Sequence, residues 1–265
     1  MKFDIARQPL VPAFMTLFAL AVAAMCAGIP VPDTETSGAV REALPLLGGQ
    51  LARFQAAYPV WSKFAAGFML LFAGMCTGRI SIRYNLYTVG TCLPIPLYAI
   101  VACGIATGGN YLAGFAASML LALATKNYCR AFCNGYGFDA IFRASLYLGL
   151  MPLIYAPALP LLLLLPLAVL LFRRTFREVV VATAGLLLPI FTACYVSWGS
   201  GAEFTAPLVT VGQSAIEGMP LQLFLDIPLP AFVMAGGIVL LDLTALFFFL
   251  ADILSLIHIS EPTRH

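Results

Sequence analysis

The stretch Val179-Val-Val-Ala-Thr-Ala-Gly-Leu-Leu-Leu-Pro-Ile-Phe-Thr-Ala-Cys-Tyr-Val-Ser197 contains no charged residue and follows directly on the basic block Phe172-Arg-Arg-Thr-Phe-Arg-Glu178. A helix that crosses a bilayer needs about 20 apolar residues at a rise of about 1.5 Å each, and this run has that length. The arginines before it mark the end that stays in the cytoplasm, because lysine and arginine near a span resist translocation. Gly, Pro and charge delimit further apolar runs of the same kind, giving eight in all: 10–29, 61–78, 86–106, 111–125, 140–155, 157–172, 179–197 and 229–251. The fourth, fifth and sixth are short and joined by almost no loop. Tilting, partial burial or a re-entrant hairpin around Tyr155-Ala156-Pro157 is expected there.

Composition points the same way. Of 265 residues, 62% are hydrophobic and 10% charged, where a soluble domain carries roughly a quarter charged residues. A mean hydropathy of +0.96 over the whole length excludes a secreted soluble enzyme and a single-anchor receptor. A net charge of +2 leaves no footprint for nucleic acid. The expected fold is all-α: one polytopic transmembrane helical bundle of about eight spans over residues 1–253.

Charge sets its orientation. Lys2, Arg7, Arg79, Arg83, Lys126, Arg130, Arg143, Arg173, Arg174 and Arg177 fall on one side of the expected spans. The other side holds Arg41, Arg53 and Lys63 with Asp33, Glu35, Glu42, Glu203, Glu217 and Asp226. The positive-inside rule makes the amino terminus cytoplasmic. Met1 to Ile29 has features of a signal peptide, but its apolar core is long for one, and an uncleaved first span is the preferred reading. The last twelve residues, Leu254 to His265, resemble the translation of a sequencing-library adapter, so the natural chain is expected to continue beyond Ile253.

Both histidines, His258 and His265, lie in that tail. Imidazole acid/base chemistry and histidine metal sites are therefore not expected in residues 1–253. The seven cysteines sit mostly in apolar runs and form no Cys-x-x-Cys pair, so they read as packed thiols.

Two outer segments are long enough to hold a site, 30–60 and 198–228. In the first, Val40, Leu44, Leu47, Leu51 and Phe54 recur at helical spacing opposite Arg41, Gln50 and Arg53. This predicts an amphipathic helix on the outer surface, or two short ones if Pro45 and Gly48-Gly49 interrupt it. Before it stand Asp33 and Glu35, one residue apart. They are ordinary turn chemistry in one reading, and a divalent-metal site or general base in the other, with Arg41 or Arg53 facing a phosphate. No other cofactor is evident. Asp242, in the middle of the last run, must be protonated, paired or open to a water-filled cavity. It is a candidate for substrate contact or proton coupling. Arg173, Arg174 and Arg177 suit anionic lipid headgroups, and Arg79 and Arg83, four apart on one helix face, suit a phosphate. Gly67, Gly74 and Gly78 permit close helix packing.

Two resemblances add to this. An acidic pair in the first outer loop followed by interfacial helices resembles, in topology, the polytopic glycosyltransferases that use polyprenyl-phosphate-linked sugars. From Lys126 to Ile190, the blocks Phe138-Asp-Ala140, Ser145-Leu-Tyr-Leu-Gly-Leu150, Leu153-Ile-Tyr-Ala-Pro157 and Phe172 to Glu178, with Gly185 and Pro189, resemble an uncharacterised family of bacterial inner-membrane proteins. That resemblance implies a multi-pass protein of the bacterial inner membrane and is silent on activity. The expected function is the handling of a lipid-linked or amphiphilic substrate at the outer face. The alternatives are a metal-dependent glycosyltransferase on Asp33 and Glu35, a secondary transporter on Asp242, or a non-catalytic scaffold. Membrane lipids are the expected partners.

Overall fold

The computed structural model describes residues 10–26, 45–83, 92, 94–103, 110–133, 137–163 and 175–217. All of them belong to one compact unit, Met1–Gly218, and the second unit, Met219–His265, lies outside the described residues. The described chain is all helical. It comprises α1 (Leu10–Cys26), α2 (Leu46–Ala57), α3 (Pro59–Arg83), α4 (Pro94–Cys103), α5 (Tyr111–Cys133), α6 (Phe138–Ile154), a 3-10 helix (Ala156–Leu163), α7 (Phe176–Gly199) and α8 (Ala206–Glu217). Among the described helices, two are long and apolar enough to cross a membrane, Pro59–Ile80 and Phe176–Gly199, and Leu10–Cys26 is a shorter apolar helix.

The helices bury small residues and turn large ones outward. The inner face of α1 is Ala13, Leu17 and Ala21, while Phe14, Met15, Phe18 and Val22 are exposed. On α7 the buried positions are Glu178, Ala182, Gly185, Pro189 and Cys194, and Val180, Leu187, Leu188, Phe191 and Tyr195 are exposed. Small residues bring helix axes close, so packing is by backbone proximity more than by interlocking large side chains.

Glycine contacts give the directions of the helices. Gly67 and Gly74 of α3 face Met25 and Leu17 of α1, so these two run antiparallel, and Gly78 faces Ile95 at the start of α4. The two ends of the Gly74-x-x-x-Gly78 pair thus serve different partners within the chain. Along α3 and α5, Ser62 bonds the hydroxyl of Tyr111 at one end, and Ala73 and Cys76 pack with Ala122 further along. These two helices are parallel. On the other side of the unit, Gly149 of α6 meets the carbonyl of Leu186, and Gly185 of α7 meets the carbonyl of Phe142 and the Cβ of Ser145. The later halves of α6 and α7 line one groove together, so this pair is also parallel.

Several expectations shift. The run expected at 111–125 continues as helix to Cys133, because Lys126 and Arg130 carry long alkyl stems and are good helix formers that need not end a helix. Helix α6 ends at Ile154, Tyr155 is extended, and the chain goes on as the 3-10 helix, with Tyr155 N–H donating to Met151 O at 2.8 Å. Helix α2 starts after Pro45 and passes through Gly48-Gly49 unbroken, and Gly49 N–H donates to Pro45 O at 2.8 Å. Cys76, Cys92 and Cys194 are buried thiols, whereas Cys26 is exposed.

Candidate functional site

Helix α2 is a short amphipathic helix pinned at both ends. At its start Pro45 is fully buried, and Gly48 lies against the body of the unit. At its end the side-chain carbonyl of Gln55 accepts the N–H of Leu112, which caps the first turn of α5 at 3.2 Å. Next to this cap the Tyr111 hydroxyl bonds Ser62 Oγ, which itself donates to Pro59 O at 2.8 Å. Gln55 therefore fixes α2 to the start of α5, and the Ser62–Tyr111 bond fixes the start of α3 to the same place.

The pinned helix forms one wall of a groove. Leu46, Leu47 and Gln50 of α2 face Leu146, Leu150 and Leu153 of α6 and Leu188, Pro189, Thr192 and Val196 of α7, enclosing about 620 Å³. The walls are mostly apolar. Polar groups gather near the end of α7, at Ser197 and Ser200. Ser200 Oγ donates to Ser197 O at 2.7 Å, and Thr192 Oγ1 donates to Leu188 O at 2.8 Å. These hydroxyls keep acceptor capacity for a ligand.

Across Leu46 and Gln50 the groove adjoins a second, smaller hollow of about 360 Å³, lined by Pro45, Gly49, Gln50, Ala52, Arg53 and Thr210. Here about half of the lining is polar. No Asp or Glu among the described residues lines it, so the Arg53 guanidinium sets its sign. An apolar trough that runs into a cationic notch matches a molecule with a hydrocarbon chain and a polar or anionic head.

Of the residues singled out from sequence, Arg53 lies in this notch and is exposed. Arg177 is exposed on the first turn of α7, and the groove begins at Leu188, about 16 Å further along at 1.5 Å per residue. Asp33, Glu35, Arg41, Arg173, Arg174 and Asp242 lie outside the described residues, and the metal reading of Asp33 and Glu35 lies outside with them.

Sequence reasoning missed three features. Thr210 and the α6 leucines join the site through packing that no local pattern announces. Glu178, placed among the lipid-facing basic residues, is buried, and its Oε2 accepts the Thr175 N–H at 3.3 Å. Thr175-x-x-Glu178 before an apolar run is a legible capping-box signal for that role.

No family model, no curated protein and no solved structure matches this chain.

Proposed function

We propose that this chain is a multi-pass protein of the bacterial inner membrane that holds a lipid-linked or amphiphilic substrate at its outer face. The observation that carries the reading is the union of groove and notch, which share Leu46 and Gln50 and pass from an apolar trough to Arg53.

Four features support the membrane setting. The exposed surfaces of α3, α4 and α7 are apolar, with Phe68, Ile100, Val101, Phe191 and Val196 each more than half exposed. Hydroxyls on these surfaces are satisfied inside their own helices, as at Thr183, which donates to Val179 O at 2.9 Å. Exposed Tyr58 and Trp61 at the start of α3, and Tyr195 and Trp198 at the end of α7, suit an interfacial belt. Finally, α6 and α7 are parallel, and parallel neighbours need a return crossing between them. The residues between them that the structure describes as a 3-10 helix, Ala156–Leu163, are all apolar. Charge alternation then assigns the groove and α2 to the outer side, and the ends bearing Arg79, Arg83, Lys126 and Arg177 to the cytoplasm.

The enzyme reading places Asp33 and Glu35, ten to twelve residues before Pro45, as acid/base or metal groups acting on a head held near Arg53. One experiment separates these readings. Lipid-linked intermediates are profiled by mass spectrometry in a host lacking the gene, rescued with wild type, Leu150→Trp or the Asp33→Ala/Glu35→Ala double variant. An amphiphile that accumulates in the deletion, clears with wild type and persists with Leu150→Trp is the result expected for the groove. Persistence with the acidic variant as well adds the glycosyltransferase chemistry. An unchanged profile in all strains contradicts the substrate reading.

A further inference from the structure

The end of the unit opposite the groove carries a second cleft that the proposed substrate site does not use. Its volume is about 480 Å³, and it forms where the start of α1, the end of α3, the start of α4 and the later part of α5 meet. Arg79 and Arg83 are four apart on α3 and share a face, and Lys126 of α5 completes a set of three cations around the same hollow. Lys126 reaches it because α3 and α5 run parallel: Cys76 packs with Ala122, so the next turn of each helix is brought side by side. No Asp or Glu among the described residues lines the cleft. Two helix starts and one helix end meet there, while α5 runs on past Lys126 to Cys133, and the full charges of the three side chains outweigh the partial charges of these helix termini.

The rest of the lining is apolar, with Phe72, Met75 and Ile95 among it. Phe72 and Met75 are each 40% exposed, so the wall opens sideways along α3 onto the apolar surface of the unit. Three cations at the mouth and an apolar wall descending from it describe a phosphate carried on a hydrocarbon chain. We infer that this cleft is a binding site for an anionic glycerophospholipid, its phosphate held by Arg79, Arg83 and Lys126 and one acyl chain lying along Phe72, Met75 and Ile95. This differs from the general attraction of basic loops to anionic lipid, which amounts to about 1 kcal/mol per residue and has no shape. Two of the cations sit on one rigid helix, and the guanidinium fork favours phosphate oxygens.

The test is native mass spectrometry of the full chain, released from detergent containing phosphatidylglycerol or phosphatidylcholine, with inorganic phosphate as a third probe. Wild type is expected to retain phosphatidylglycerol at least tenfold better than phosphatidylcholine. Arg79→Gln/Arg83→Gln should abolish the preference, while Arg130→Gln/Arg143→Gln, which removes two cations that do not line the cleft, should leave it within about twofold. Met75→Trp fills the wall without changing charge and should also lower retention. Equal losses in both double variants would reduce the effect to general electrostatics and overturn the site. Displacement of the lipid by inorganic phosphate, together with an unaltered Met75→Trp, would assign the cleft to free phosphate and overturn the lipid reading.

Discussion

The two helix seams of the unit are built differently, although both rely on glycine. On α3, Gly67, Gly74 and Gly78 open space that side chains fill: Met25, Leu17 and Ile95 reach into the gaps. Between α6 and α7, Gly149 and Gly185 are covered by backbone, the carbonyls of Leu186 and Phe142. A side chain changes rotamer at small cost, whereas a helix backbone moves only with its whole neighbourhood. The first seam is adjustable and the second is rigid, and the groove proposed to hold substrate is walled by the rigid pair.

Substitutions that add a single methyl group sharpen this contrast. The largest effect is expected for Gly149→Ala, whose new Cβ would stand 2.3 Å from Leu186 O. The helices must separate, and a loss of about 3 kcal/mol is expected, measured by reversible unfolding in mixed micelles. Gly185→Ala comes next, since its Cβ would meet Phe142 O at 2.8 Å and Ser145 Cβ at 3.0 Å. About 1–2 kcal/mol is expected there. Gly67→Ala should be smallest, within about 1 kcal/mol of wild type. Its closest contact, Met25 Cε, is the tip of a flexible chain, and alanine is the better helix former. If Gly67→Ala costs as much as Gly149→Ala, the distinction between the seams fails.

The two clefts follow a parallel contrast. The groove ends at one cation, Arg53, beside the amides and hydroxyls of Gln50 and Thr210, while the cleft at the far end gathers three. A weakly charged or sugar-bearing head suits the first, and a bare phosphate suits the second. Binding of phosphatidylglycerol should therefore respond to Arg79→Gln/Arg83→Gln severalfold more than to Arg53→Gln.

The all-helical character of the fold was legible from hydropathy alone, for a physical reason, whereas among the described helices two, not eight, are long and apolar enough to cross a membrane. Long apolar runs bounded by charge give helices whose cores are correctly placed, as for α3 and α7, since length and polarity act locally. Ends were harder to read. Hydropathy alone puts Lys126 on the loop side of a span, yet the helix runs through it to Cys133, and only the packing of α3 on α5 brings it beside Arg79. The site was half legible. Arg53 and Gln50 stand out as the polar face of an amphipathic helix. That Leu47 of its apolar stripe borders the same groove as Gln50 depends on where α6 and α7 lie. No periodicity encodes that, and none encodes the Gln55 cap on α5, which joins residues 57 positions apart.

The proposed function puts an amphiphile in the groove between α2, α6 and α7. It is tested most directly by photocrosslinking the full chain in lipid nanodiscs with a polyprenyl phosphate that carries a diazirine near its head. Labelled peptides are then mapped by mass spectrometry for wild type and Leu150→Trp. Labels are expected on α2 and on the later halves of α6 and α7, cut severalfold by Leu150→Trp. Labelling spread evenly over exposed positions such as Phe68 and Ile100, or unchanged by Leu150→Trp, would contradict it.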